Sequence, residues 1–241
     1  MKILSTAGLA GAALLIWAQG ASAQLIADKL WVDLDSSSAN TRQDVILSNE
    51  SERRYYISVE ASEILSPGTP QEVRVQIENP EELGLLVSPN RMVLEPGASR
   101  ALRIVSINEV LENERIYRVR VTPQVGAIEA NPAEGEERGI NIVMLTAYDL
   151  LITVRPANGQ PVIQVERTQD ELRLTNIGNT NTLLMDGQAC SGAGATMSCI
   201  PLEDSRLYAG ATASFALPSP EARVQFKARD RNGGRDRELT F

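Results

Sequence analysis

The sequence contains no histidine, only two cysteines and few aromatic residues. The lack of histidine excludes Ser-His-Asp and Cys-His nucleophile pairs, and it excludes histidine metal sites. Two cysteines are too few for a cysteine-rich zinc site or an iron–sulfur cluster. Aromatic residues make up 4% of the chain and hydrophobic residues 43%. We therefore expect an ordered core built mainly from Val, Ile and Leu.

Positive charge is also scarce. The chain carries 23 basic and 31 acidic residues, a net charge of −8, whereas a nucleic-acid binder needs a basic face that neutralises phosphates. Paired acids such as Glu81-Glu82 and Glu136-Glu137 lie in predicted turns, where solvated surface charge explains them better than glycosidase chemistry. We expect no nucleic-acid partner, no small-molecule substrate and no enzyme activity.

Residues 1–23 have the pattern of a secretory signal peptide. Lys2 precedes an apolar run over residues 8–18, and Ala21-Ser22-Ala23 has the small-residue spacing of a cleavage site. The run is short for a membrane-spanning helix, although an uncleaved anchor is the alternative. We expect cleavage after Ala23 and export of the rest of the chain.

Export would place Cys190 and Cys199 in an oxidising compartment, where disulfides persist. The stretch between them is rich in glycine and alanine, and their spacing differs from the C-x-x-C of redox pairs. We expect a structural disulfide that closes this loop and contributes roughly 2.5–3 kcal/mol by chain entropy.

Short segments of alternating apolar and polar residues recur along the rest of the chain. Turn sequences such as Glu95-Pro96-Gly97 separate them. Many short strands between turns are typical of β-sandwiches. Two segments, residues 80–85 and 107–112, are predicted to form short helical turns.

The length of the exported chain suits two sandwiches. Pro156 follows a predicted strand and would stop it. We therefore predict an N-terminal domain over residues 24–155 and a C-terminal domain over residues 156–241.

One predicted strand, residues 140–154, is far longer than the usual length of about five or six residues. Its first half is apolar on both faces, with Ile140, Ile142 and Met144 on one and Val143 and Leu145 on the other. Such a strand needs cover on both faces. It is either a central core strand or a strand that lends an apolar face to another protein.

Four segments, in this order, resemble the periplasmic pilus-assembly chaperones of the chaperone–usher pathway. Residues 88–98 resemble the family's S-P-x-x-x-x-L-x-P-G-x stretch, and residues 113–119 resemble its R-E-S strand. Residues 148–156 look like the end of its long G1 strand and its domain hinge. Residues 230–234 are similar to its D-x-G-G loop, with one extra residue.

The resemblance implies an all-β fold of two immunoglobulin-like sandwiches in a boomerang arrangement. Members of the family hold pilus or fimbrial subunits whose own sandwich lacks a strand. The G1 strand fills the resulting groove by donor-strand complementation, a form of strand addition, and the subunit passes to an outer-membrane usher.

For this chain the resemblance implies a periplasmic chaperone of fimbrium biogenesis that works without a cofactor. Its partners would be fimbrial subunits and the usher, and the free chaperone could form a self-dimer. The alternative is an exported two-domain β-sandwich binding or structural protein without chaperone activity. A pilus subunit is a variant of that alternative, for which the chain is too long.

The resemblance also assigns residues to sites. The donor positions fall on four residues of the long strand: Ile140, Ile142, Met144 and Thr146. Three charged residues match the family's buried ion network between the domains: Glu114, Arg155 and Asp230. The alternative is that they are separate surface charges.

The chain departs from the family where two basic residues anchor the subunit's C-terminal carboxylate. Lys29 is the nearest match to the first, and Leu151 stands where the second would be. Asp149 would repel a carboxylate. Arg118 and Arg120 share one face of a strand and are candidate replacements, with solvated charges on a sheet face as the alternative. The loop before the donor strand is long, as in the long-loop branch of the family, but no cysteine pair braces it. The assignment to a branch therefore stays open.

Overall fold

The structure is a computed structural model that describes residues 25–36, 40–108, 110–126, 144–192 and 194–241. The predicted signal peptide, its cleavage site and the donor positions Ile140 and Ile142 lie outside these residues. Within the described part of the chain, no helix is long and apolar enough to cross a membrane.

Period-two alternation of apolar residues produces strands in the first half of the chain. In β4, for example, Tyr55, Ile57 and Val59 are buried while Tyr56 and Glu60 are exposed. The strands are β1 (Leu25–Ala27), β2 (Trp31–Asp35), β3 (Arg42–Asn49), β4 (Tyr55–Leu65), β5 (Val73–Val75), β6 (Leu85–Ser88), β7 (Arg91–Leu94), β8 (Ser99–Ser106), β9 (Arg115–Val125) and β10 (Tyr148–Arg155).

A single-turn helix, α1 (Pro80–Leu83), interrupts these strands. The side chain of Asn79 caps it by accepting a hydrogen bond from the backbone N–H of Glu81. Gly84 ends it in the left-handed region at φ 74°, which a residue with a Cβ rarely adopts.

In the second half of the chain, the described residues form eight strands and a 3₁₀ turn over Gly194–Thr196. The strands are β11 (Ile163–Arg167), β12 (Glu171–Asn176), β13 (Thr182–Ser191), β14 (Ser198–Leu202), β15 (Ser205–Leu207), β16 (Thr212–Ala216), β17 (Arg223–Arg229) and β18 (Arg237–Thr240).

The strands form four sheets. A four-stranded sheet (β1-β3-β8-β6) and a six-stranded sheet (β2-β10-β9-β4-β5, with β7 also beside β4) make the first sandwich. A three-stranded sheet (β11-β12-β16) and a five-stranded sheet (β14-β13-β17-β18, with β15 also beside β13) make the second. β2 runs parallel to β10, and the other strand pairs are antiparallel.

Each sandwich has an apolar core. In the first, Leu47 and Leu102 of the four-stranded sheet pack in one cluster with Ile57, Val119 and Ile152 of the six-stranded sheet. The second core is built from β12, β13, β16 and β17, including Leu174, Leu184, Phe215 and Phe226. The all-β, two-sandwich prediction is thereby confirmed.

The two sandwiches meet on the outer face of the six-stranded sheet. Ile64, Ile116 and Leu151 point away from their own core and join the second one. At the tip of the β4–β5 turn, Gly68 lies against the ring of Tyr208, where an added Cβ would come 2.9 Å from Tyr208 Cδ2. We call this contact region the junction.

Three local predictions can be compared with the structure. The disulfide between Cys190 and Cys199 is present, with an S–S distance of 2.05 Å, and it joins directly opposed residues of β13 and β14. The long strand is shorter than predicted, because β10 begins at Tyr148 and residues 144–147 are not in a strand. In the described part of 107–112 no helical turn forms.

Candidate functional site

Arg155 ends β10 and is buried at the junction, with 1% of its surface exposed. Its Nε donates to Oδ1 of Asp33 at 2.8 Å. Its Nη1 donates to Thr180 Oγ1 and, at 3.3 Å, to the carbonyl oxygen of Asn181. The guanidinium of Arg155, at the end of a strand of the first sandwich, therefore contacts residues of the second sandwich.

Glu114 supplies a second carboxylate to the same cluster. Its Oε2 lies 3.8 Å from Arg155 Nη1. The same oxygen accepts hydrogen bonds from Thr180 Oγ1 (3.0 Å), the Asn181 backbone N–H (2.8 Å) and Asn181 Nδ2 (2.5 Å). Buried charges are stable only when they are paired and hydrogen-bonded in this way.

Asp230 does not join this cluster, which corrects the sequence prediction. Its carboxylate accepts hydrogen bonds from Thr182 Oγ1 at 2.6 Å and from Arg237 Nε at 3.2 Å, both within the second sandwich. Among the ion pairs of the described residues, Asp33 occupies the place predicted for Asp230.

The loop after Asp230 does reach the first sandwich, through its next two residues. The Asn232 backbone N–H donates to Asp33 Oδ2 at 2.7 Å, and Asn232 Nδ2 donates to the carbonyl oxygen of Trp31 at 2.8 Å. Arg231 Nη2 donates to Asp35 Oδ1 at 2.6 Å. Asp33 is thus held from both sandwiches, and the junction is closed by ionic and main-chain contacts.

A group of basic residues lies beside the junction on the outer face of the six-stranded sheet. In the strand register, Arg118 is opposite Leu151 and Arg120 is opposite Asp149. Arg118 Nη1 donates to the carbonyl oxygen of Asp149 at 3.3 Å. Arg74 Nη2 lies 2.8 Å from Asp149 Oδ1. The Asp149 carboxylate is therefore neutralised, and the face around it keeps positive charge in spite of Glu60 opposite Arg120.

Lys29 lies at the point where the chain crosses from β1 to β2. Its Nζ is 3.9 Å from Asp28 Oδ2, and 34% of its side chain is exposed. The backbone N–H of Leu151 donates to the carbonyl oxygen of Leu30, the next residue. The structure thus places Lys29 just before β2, one residue from a main-chain contact with Leu151.

The described half of the predicted donor segment is exposed. Met144 has 77% of its surface exposed and Leu145 39%, and Thr146 is also exposed. The β9–β10 pairing begins at Tyr148 opposite Val121. Residues 122–125 of β9 pair with β4, but on the β10 side they have no strand partner among the described residues. Within the described residues, an apolar segment therefore follows directly on a stretch of β9 that has a neighbouring strand on one side.

No protein-family model matches the sequence. Two fimbrial subunits from Escherichia coli are similar in sequence: one of CFA/I, 24% identical over 153 residues, and one of CS1, 26% identical over 147 residues. These matches span 63% and 59% of this chain and of the respective relative. The chain thus matches less than two thirds of the length of either relative.

Solved structures match nearly the whole chain. The class 5 fimbriae chaperone CfaA gives a TM-score of 0.66 at 20% identity, covering 90% of this chain and 97% of that one. A chain of the CsuC–CsuE chaperone–tip adhesion subunit pre-assembly complex of Acinetobacter baumannii gives 0.59 at 13% identity, covering 90% and 98%. The periplasmic chaperone SfaE gives 0.54 at 12% identity, covering 90% and 98%. The described chain therefore has the two-sandwich fold found in the chaperones of fimbrial assembly.

Proposed function

We propose that this protein is a periplasmic chaperone that binds, folds and caps fimbrial subunits by donor-strand complementation and delivers them to an outer-membrane usher. The observation that carries the proposal is the segment 144–147, whose apolar Met144 is exposed beside residues 122–125 of β9, which have no second strand partner among the described residues. The leader would be cleaved after Ala23, and the domain boundary would lie at Pro156.

In this proposal the donor positions are Ile140, Ile142, Met144 and Thr146. A subunit with an incomplete sandwich exposes an apolar groove and an unpaired strand edge, and both promote aggregation. An added strand covers them together with main-chain hydrogen bonds and alternating side chains. Each apolar side chain that is fully buried contributes about 1.5–3 kcal/mol, so Thr146 would contribute less than Met144.

The basic face would bind the carboxylate at the end of the subunit. Lys29 can neutralise it as a point charge, whereas Arg118 or Arg120 can offer the two parallel N–H donors that fit a carboxylate. Because Arg74 already pairs with Asp149, that acid would not repel the ligand. Leu151 then needs no basic replacement at its own position.

A fimbrial subunit is the second candidate, because both curated relatives carry that name. The chaperone fits better, since the likeness to CfaA includes both sandwiches and 97% of its chain. A third interpretation is an exported β-sandwich protein with a binding or structural role and no chaperone activity. It offers no reason for the exposed apolar side chains of Met144 and Leu145. The proposed function involves no cofactor, nucleotide or catalytic step.

Co-purification tests the proposal. The tagged chain is isolated from the periplasm of cells that express a fimbrial subunit encoded by a neighbouring gene. It should co-purify with that subunit as a one-to-one complex. Met144→Asp should abolish the complex and leave the free protein folded. Met197→Asp is the matched control, because Met197 is 60% exposed in the second sandwich. A complex that survives Met144→Asp, or no complex at all, would contradict the proposal.

A further inference from the structure

One aromatic residue of the first sandwich touches a charged residue of the second. Trp31 begins β2, and the guanidinium carbon of Arg206, in β15, lies 3.9 Å from the centre of its ring. Arg206 Nη1 donates to Oδ1 of Asn181 at 2.9 Å. A guanidinium over an indole ring is a favourable cation–π contact, and it is stronger when it is shielded from water.

Arg206 also balances the charge of the junction. Asp33 and Glu114 are two carboxylates, and Arg155 pairs with both. Arg206 is linked to them through neutral residues: Asn181 donates to Glu114 on one side, and Asn232 ties Trp31 to Asp33 on the other. Burial lowers the pKa of Arg206, but a guanidinium stays charged at neutral pH. Without Arg206, the two buried carboxylates would face one guanidinium.

Trp31 in turn belongs to the sheet face that carries the basic residues. In the register of the six-stranded sheet, Trp31 is opposite Leu151, and Leu151 is opposite Arg118. A movement of the indole ring would therefore displace Leu151, and through Leu151 it would displace Arg118. Arg206 therefore contacts, from the second sandwich, a residue that shares a row of the sheet with Arg118.

We propose that Arg206 is a positioning residue: by stacking on Trp31 and completing the charge balance, it holds the sandwiches at one angle and seats the row Trp31–Leu151–Arg118. A contact of this strength shifts the ratio of molecules with the two sandwiches in contact to molecules with them apart roughly 5- to 30-fold. The effect on the domain angle is independent of the proposed function, whereas any effect on subunit capture rests on it.

The exported protein offers two readouts of the angle. Trp17 lies in the predicted leader, so Trp31 is the remaining tryptophan, and quenching of its fluorescence by acrylamide reports its exposure. Spin labels at Ala101→Cys in β8 and at Glu221→Cys in the second sandwich report the distance between the sandwiches. Both positions are exposed, and the native cysteines are paired with each other.

Arg206→Ala should make Trp31 markedly more accessible to acrylamide and broaden the distance distribution. Arg206→Lys keeps the charge but loses the planar stack, so it should fall between Arg206→Ala and the parent, and it serves if Arg206→Ala does not fold. Arg173→Ala is the control, because Arg173 pairs with Glu171 on the surface of the second sandwich. It should change neither readout.

Unchanged Trp31 quenching and an unchanged distance distribution in both Arg206 variants would overturn the proposal. Subunit capture, measured in parallel, separates the two claims. If the junction loosens and capture stays the same, the link from Arg206 to the basic face is wrong while the positioning of the sandwiches stands. If the parent protein captures no subunit whatever, the proposed function fails and the fluorescence result still decides the role of Arg206.

Discussion

At the scale of single residues, the buried cluster at the junction depends on the pairing of Arg155 with Asp33. Both side chains are almost fully buried, with 2% and 7% of their surfaces exposed. Losing one member leaves the other as an uncompensated charge in a poorly solvated place, which is far more costly than losing a surface pair.

We therefore expect Asp33→Asn to lower the free energy of unfolding by about 3–5 kcal/mol. Asp230→Asn is the matched control, because Asp230 pairs with Arg237 and 38% of its side chain is exposed. That change should cost less than about 1 kcal/mol. Urea unfolding at neutral pH measures both, and equal losses in the two variants would contradict the assignment of Asp33 to the cluster.

Lys29 gives a second prediction at this scale. Its ion pair among the described residues is the long contact of 3.9 Å with Asp28, so Lys29→Ala should hardly change the melting temperature. If Lys29 binds the subunit carboxylate, the same variant should weaken subunit capture about tenfold, the loss of one charge-assisted contact of roughly 1.5 kcal/mol. Titration of the chaperone against the subunit measures this, and unchanged affinity would remove Lys29 from the site.

Tyr117 predicts how stability changes at alkaline pH. Burial raises its pKa to about 12, whereas in the unfolded chain the value is about 10. Between these two pH values the unfolded state loses the phenolic proton and the folded state keeps it. The contribution of Tyr117 to the free energy of unfolding should therefore be constant below pH ~10 and fall by about 1.4 kcal/mol per pH unit up to ~12.

Tyr117→Phe removes this contribution, and its alkaline fall in stability should be correspondingly shallower than that of the parent protein. Urea unfolding at a series of alkaline pH values spanning this window would measure both. Parallel curves would show that Tyr117 does not titrate differently in the two states.

At the scale of elements, the hairpin of β13 and β14 is closed by the disulfide near its turn. Replacing both cysteines by alanine should lower the free energy of unfolding by about 2–4 kcal/mol. Subunit capture should be unchanged, because the hairpin belongs to the five-stranded sheet and the candidate binding face lies on the six-stranded sheet. Unfolding with and without reductant is the measurement, and a parent protein that is indifferent to reductant would contradict a structural role.

Elements were predictable where the local pattern alone decides them. The helix over Pro80–Leu83 has its cap residue Asn79 and its terminating Gly84 written in the sequence. The segment 107–112 is different, because Asn108 donates to the carbonyl oxygen of Gly84 and accepts from Arg115. Those long-range bonds compete with a helical turn and cannot be read from a local pattern.

The start of β10 was mispredicted for a related reason. The apolar character continues upstream of Tyr148, but in the described structure residues 122–125 of β9 pair with β4 on one edge and are not joined by residues 144–147 on the other. Periodicity indicates which side chains share a face, whereas the length of a ladder depends on its partner.

At the scale of the whole molecule, the fold was predictable and the junction only in part. The order of strands and turns, together with a resemblance that extends over most of the chain, led to two sandwiches. Asp33 was missed because it shares one face of β2 with Trp31, and the sequence pattern predicts that this face is the outer one. It is buried only because the second sandwich covers that face, and no local pattern reports such cover.

The same limit explains Arg206. It lies in the short strand β15, and nothing in its neighbourhood along the chain marks it as a junction residue. Its contact with Trp31 joins residues from the two sandwiches. Residues that connect domains are chosen by the way the domains meet, so they are the part of this molecule that sequence patterns describe least.

Residues 144–147 are proposed to add a strand to a fimbrial partner, and a cysteine scan along them can distinguish strand addition from any other contact. Single cysteines at positions 144 to 147 would be cross-linked to a cysteine placed in the groove of the captured protein. Strand addition predicts cross-links that alternate, strong from Met144→Cys and Thr146→Cys and weak from Leu145→Cys and Ala147→Cys, because successive side chains of a strand point to opposite faces. Equal cross-linking from all four positions, or none, would exclude strand addition by this segment.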